Sequence, residues 1–99
     1  MKETNVIVTE LIWDDWNVDH IAQHNVMPEE VEQSLTDKEA IFLQAKQGRV
    51  MVLSSTGTRL LATVLNAQET GGAYYVITAR DMSRKERAFY RARKEARNE

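Results

Sequence analysis

Apolar positions recur along this chain in two rhythms, one of period two and one of helical period. Asn5 to Trp13 (NVIVTELIW) is rich in β-branched residues and partly alternating, which predicts a first strand. Asp14 and Asp15 then offer an N-cap whose charge suits a helix start, and the helix is expected to reach about His24. Asn25 tolerates the left-handed conformation and predicts its stop. Met27-Pro28-Glu29-Glu30 predicts a second helix, with proline in its first turn and Val31 and Leu35 as an apolar stripe.

Period two then returns. Ala40 to Ala45, Arg49 to Ser54, Arg59 to Leu65 and Ala73 to Ala79 read as four strands. They are joined by Lys46-Gln47-Gly48, by Ser55-Thr56-Gly57-Thr58 and by a polar loop from Asn66 to Gly72. Connections this short favour antiparallel neighbours. Ser83 and Glu86 have capping-box spacing and open a last helix carrying Ala88, Phe89 and Ala92. The expectation is an α+β fold: an antiparallel sheet of about four to five strands, two short N-terminal helices and one C-terminal helix. Without repeats or low-complexity stretches, residues 1–99 read as a single domain.

Composition narrows the chemistry. The chain contains no cysteine, which excludes disulfides, thiolate metal sites and cysteine nucleophiles. Signal and membrane-spanning patterns are missing, so the expected location is the cytoplasm. The net charge of −2 conceals a gradient. Residues 1–40 carry two basic and ten acidic side chains, residues 41–78 three and one, and residues 79–99 eight and four. A basic C-terminal third can face a phosphate backbone, and an acidic N-terminal third a basic partner, although charged helix faces are also simply solvated.

His20 and His24 stand four residues apart on one predicted helix and share a face. Two imidazoles at this spacing can hold a metal, but Ile21 stands where the zinc-protease helix needs glutamate, and no third ligand is evident. Packing at the helix end and general acid–base work are the other readings. Arg49, Arg59 and Arg80 fall at or near strand ends, where convergence would bind a phosphate. Arg84 and Arg87 extend the basic character into the last helix. Glu86 is foremost the capping partner of Ser83, and Tyr90 shares its helix face. Trp13 and Trp16 read as core or partner-facing.

Several separated segments together resemble the BrnT toxins of bacterial type II toxin–antitoxin systems. They are Trp13-Asp14, Asn17, His24-Asn25-Val26 with Glu29-Glu30-Val31, Gly57-Thr58-Arg59-Leu60-Leu61, Ile77-Thr78-Ala79-Arg80, and Ser83 to Arg87 with Tyr90. The likeness covers roughly Ile12 to Tyr90 in the family's order. It implies a RelE-like fold and a metal-independent, cofactor-free endoribonuclease that cleaves RNA to inhibit translation. It also implies a small DNA-binding antitoxin as partner, with a dimer or toxin–antitoxin heterotetramer as the assembly. On this resemblance His24 is the first candidate acid or base, Arg59 and Arg80 hold the phosphate, Tyr90 assists and Glu86 orients its neighbours. His20, Arg49, Arg84 and Arg87 would contact RNA, His20 being also a second candidate for proton transfer. Gln23 replaces the family's usual lysine, Asn25 its glycine, and the helix from Asp14 to Asp19 is acidic where the family is commonly basic. The turn tolerates Asn25, whereas Gln23 and the acidic helix leave an alternative: a catalytically inactive toxin-fold protein acting as a protein-interaction domain.

Overall fold

The computed structural model describes residues 2–97. Its elements run β1 (Glu10–Ile12), α1 (Asp15–Ala22), α2 (Pro28–Ser34), β2 (Ile41–Gln44), β3 (Arg49–Ser55), β4 (Leu60–Ala67), β5 (Ala73–Asp81) and α3 (Arg84–Arg97). The strands form one five-stranded sheet in the order β1-β5-β4-β3-β2. The α+β class and the placement of the helices agree with the sequence pattern.

The sheet is mixed, which corrects the antiparallel expectation. β2 to β5 are antiparallel to their neighbours, whereas β1 runs parallel to β5, pairing Leu11 with Tyr74. Short loops fix the orientation of consecutive strands only. β1 and β5 are separated by two helices and three strands, so no hairpin constrains them. The first strand is also shorter than Asn5–Trp13. Instead, residues 2–4 bond the opposite sheet edge: the Thr4 amide donates to the Phe42 carbonyl (2.9 Å) and the Gln44 amide to the Lys2 carbonyl (2.7 Å). The intervening chain crosses from one edge to the other, laying Val6 and Val8 on the core.

Local chemistry explains the helix ends. Asp14 Oδ1 accepts the Asn17 amide (3.0 Å), and Asn17 Oδ1 accepts the Asp14 amide (2.8 Å), closing a box at the start of α1. The buried Asn17 amide nitrogen donates to the Ile12 and Val76 carbonyls, latching α1 to β1 and β5. α1 stops at Ala22, short of His24; Asn25 adopts φ 60°, and the Val26 amide reaches back to the Ile21 carbonyl (3.1 Å).

The sheet has two differently covered faces. On the first, Val50, Val52, Leu61, Leu65, Tyr74, Val76 and Ala79 pack with Ile21, Val26 and Val31 from the α1–α2 segment. On the second, Ile41, Leu43, Leu53 and Ala62 pack with Met82 and Tyr90. A bulge sets Val76 opposite Leu65 but Thr78 opposite Val64, leaving Ile77 as the extra residue. That shift keeps Val76 and Ala79 on the same face despite their odd separation.

Candidate functional site

The five expected catalytic groups separate in space. Strand periodicity puts Arg59 on the first face, in line with Leu61, and Arg80 on the second, beside Ala62. The expected convergence of the two guanidinium groups on one phosphate is therefore corrected: the sheet stands between their side chains. They are one residue out of phase across the β4–β5 ladder, and no spacing pattern in the sequence fixes that phase.

Arg59 is a clamp. Its Nε donates to Asp81 Oδ1 (2.7 Å), and one terminal nitrogen donates to the Asn25 carbonyl (2.6 Å) and to both Glu30 oxygens (3.1 Å each). The other lies 3.4 Å from the His24 carbonyl. Arg59 thus ties the α1–α2 turn to the end of the sheet. The Arg59 hydrogen bond holds Asp81 below the usual carboxylate range. Glu30 is held low chiefly by the Met27 amide and then by Arg59, against the opposing cost of burial.

Arg80 and Glu86 form a fork-to-fork pair where β5 gives way to α3. The two terminal nitrogens of Arg80 donate to Glu86 Oε1 (2.7 Å) and Oε2 (3.0 Å). The Ser83 amide donates to Glu86 Oε1 (2.8 Å) and the Glu86 amide to Ser83 Oγ (3.2 Å), so the expected capping box is present and Arg80 is added to it. The hydrogen bond from Arg80 is the main cause holding Glu86 below its ordinary range, burial opposing it. Arg80 lies on the second face, which continues past the residues packed with Tyr90 and Met82. One row across that continuation is Thr78, Val64 and Met51, and the next is Ile12, Tyr75, Asn66 and Arg49. All seven are half-buried. Arg49 shares the face with Arg80, but strand rise and spacing put their backbones roughly 15–17 Å apart.

The remaining candidates lie elsewhere or beside α3. His24 is exposed in the turn after α1, toward the first face. His20 stacks on Trp16 (centroids 4.9 Å, interplanar angle 7°) and meets His24 edge-on at 5.8 Å. Trp16 keeps 58% of its surface and His24 is exposed, while His20 between them is half-buried. Among the described residues no group of three or more His, Asp or Glu gathers that could hold a metal. Tyr90 is 2% exposed, and its hydroxyl donates to Asp37 Oδ2 (2.6 Å); burial and that carboxylate raise its pKa far above the ordinary tyrosine value. Buried and bonded to Asp37, this phenol pins α3 to the segment after α2. Arg84 is exposed, and Arg87 donates to the Met82 carbonyl (2.7 Å), both in the first turn of α3.

Sequence reasoning passed over three residues that organise this region. Asp37 accepts the Glu39 and Ser55 amides as well as Tyr90, joining α2, β3 and α3. Asp81 links the Arg59 clamp to the end of β5. Tyr75 donates to Asp14 across the β1 edge (3.0 Å). The turn-forming context Thr36-Asp37-Lys38 signals a local role for Asp37, but no sequence signal announces its distant partners. No protein-family model matches the chain, and no curated protein is significantly similar to it.

Proposed function

We propose that this protein is a toxin-type, metal-independent endoribonuclease of BrnT-like, RelE-like kind, which cuts RNA to inhibit translation and is restrained by a small DNA-binding antitoxin. The observation that carries this reading is the Arg80–Glu86 pair on the second sheet face, at the start of a helix with three cations in its first four residues (Arg84, Lys85, Arg87). The element order is compatible with the fold that the sequence resemblance implies.

RNA cleavage through the 2′-hydroxyl needs a proton acceptor and cations that stabilise the crowded phosphate. In this account Arg80 turns one edge of its guanidinium to the phosphate. Glu86, relieved of part of that partner, becomes a stronger base. It takes the 2′-hydroxyl proton as the 2′-oxygen attacks phosphorus. The bond to the 5′-oxygen breaks, that oxygen takes a proton from water, and the products are a 2′,3′-cyclic phosphate and a 5′-hydroxyl. Proton acceptance moves from His24 to Glu86, because His24 stands with Arg59 and not with Arg80. Arg59 and Tyr90 position the fold instead of touching RNA.

Controlled expression in a bacterium tests this reading. The intact protein and His24→Ala are expected to arrest growth and bulk protein synthesis, and Arg80→Ala at equal soluble level is not. Absence of arrest by the intact protein would favour the second reading, a non-catalytic interaction domain. That reading has its own observation: the exposed Trp16, stacked on His20, sits on an acidic helix, a surface suited to a basic protein partner.

A further inference from the structure

Beside the Arg80–Glu86 pair, α3 and the sheet enclose a crevice of about 210 Å³ lined by Leu43, Leu53, Lys85, Glu86 and Phe89. Leu43 and Leu53 close its floor and are otherwise buried. Phe89 lines it and keeps 39% of its surface exposed, whereas its neighbour Tyr90 is buried. The core therefore does not account for this ring. Two charged residues, Lys85 and Glu86, also line it. Among the described residues, Glu86 Oε1 accepts two donors, from Arg80 and Ser83, whereas Oε2 accepts one, from Arg80. Each carboxylate oxygen can accept about two, so Oε2 retains a free site.

We infer that this crevice is a nucleobase slot for single-stranded RNA, in which one base stacks on Phe89 over Leu43 and Leu53 and offers an N–H edge to Glu86 Oε2. The inference rests on the RNA reading above and adds the ligand class of its specificity pocket. Four features select a base. An aromatic wall and aliphatic floor suit a flat ring with apolar faces. A carboxylate oxygen with spare capacity selects a ring edge that donates, such as an amino or imino group. The cations of Lys85 and Arg80 flank the slot and suit the phosphates on either side of the base. The volume lies below the roughly 300–1,000 Å³ of pockets that hold drug-sized ligands, which limits the occupant to one ring system. An aliphatic side chain from a protein would use the floor but leave Lys85 and the spare acceptor site of Glu86 Oε2 unanswered.

The test compares binding of a short single-stranded ribo-oligonucleotide with that of an abasic oligomer of the same sugar–phosphate backbone. It uses the intact protein, Phe89→Ala and Phe89→Trp, with folding checked by circular dichroism. The intact protein is expected to prefer the base-bearing strand by roughly ten-fold or more, the size of one base–aromatic stack. Phe89→Ala should abolish that preference while still binding the backbone, and Phe89→Trp should keep it. If folded Phe89→Ala keeps the full preference, or loses both ligands together, the slot is overturned while the RNA reading stands. If the intact protein binds neither oligomer, the slot and the RNA reading fall together, and the crevice is left to an apolar side chain of a protein partner.

Discussion

At the residue scale, the arginines divide between holding the fold and facing solvent chemistry. Arg59 spends its donors on Asp81, Glu30 and two turn carbonyls. Its removal is expected to cost about 1–2 kcal/mol, the lower part of the range for charged hydrogen bonds because Asp81 is largely exposed and screened. A shift in urea midpoint at unchanged slope would measure it; no shift would remove the clamp from the account. Tyr90→Phe deletes one bond to an Asp37 that keeps two backbone donors, and should cost about 1 kcal/mol. Tyr90→Ala empties a core position and should cost about 3–5 kcal/mol. Equal effects of the two substitutions in thermal melts would deny the ring its packing role.

Titration gives a further check on the same residues. Glu30, Asp81 and Glu86 are all held below ordinary values of 4.5 for glutamate and 3.8 for aspartate. A lowered carboxylate contributes stability that is complete above its unfolded value and is lost as pH falls through the folded one. Denaturation midpoints should therefore hold near neutrality and drop below about pH 4.5. Arg59→Ala should flatten that acid limb, and an unchanged limb would show that Asp81 and Glu30 do not depend on it. The Ser83–Glu86 box was legible from its spacing, because a capping box is a local device. The Arg80 pairing was not, since it depends on how β5 hands over to α3.

At the element scale, β2 to β5 and α3 could be read from the chain because alternation, turn residues and a cap all act over a few neighbours. Ser55 and Ala67 merely extend strands whose cores were evident. β1 was not legible in the same way. An apolar run fixes neither pairing direction nor which part of the run enters the sheet. Here Gly72 anchors the start of the strand, its carbonyl accepting the Thr9 and Glu10 amides. Gly72 has φ 86°, and a Cβ there would collide with Thr9. Gly72→Ala is expected to destabilise by about 1–3 kcal/mol and to speed amide exchange from Thr9 to Ile12. Unchanged exchange across β1 would mean that the strand is held by its other contacts alone.

At the scale of the whole molecule, the charge gradient of the sequence becomes an arrangement of faces. The acidic N-terminal third supplies the helices of the first face, and the cationic C-terminal helix lies on the second. The expectation of one merged site failed because strand phase assigned Arg59 and Arg80 to opposite faces, a property of the ladder that composition does not encode. Backbone binding by the few cations of the second face should show a modest salt dependence. The slope of log affinity against log salt for single-stranded RNA is expected near −2 to −3, and Arg80→Ala should reduce it by about 0.7. A slope unaltered by Arg80→Ala would place the phosphates elsewhere.

The most direct test is incubation of the purified protein with single-stranded RNA in excess EDTA, followed by analysis of the product ends. The account predicts 2′,3′-cyclic phosphate and 5′-hydroxyl ends from the intact protein and from His24→Ala, and uncut RNA with Arg80→Ala or Glu86→Gln. RNA left intact by the folded wild-type protein, or cut equally well by folded Arg80→Ala, would contradict it.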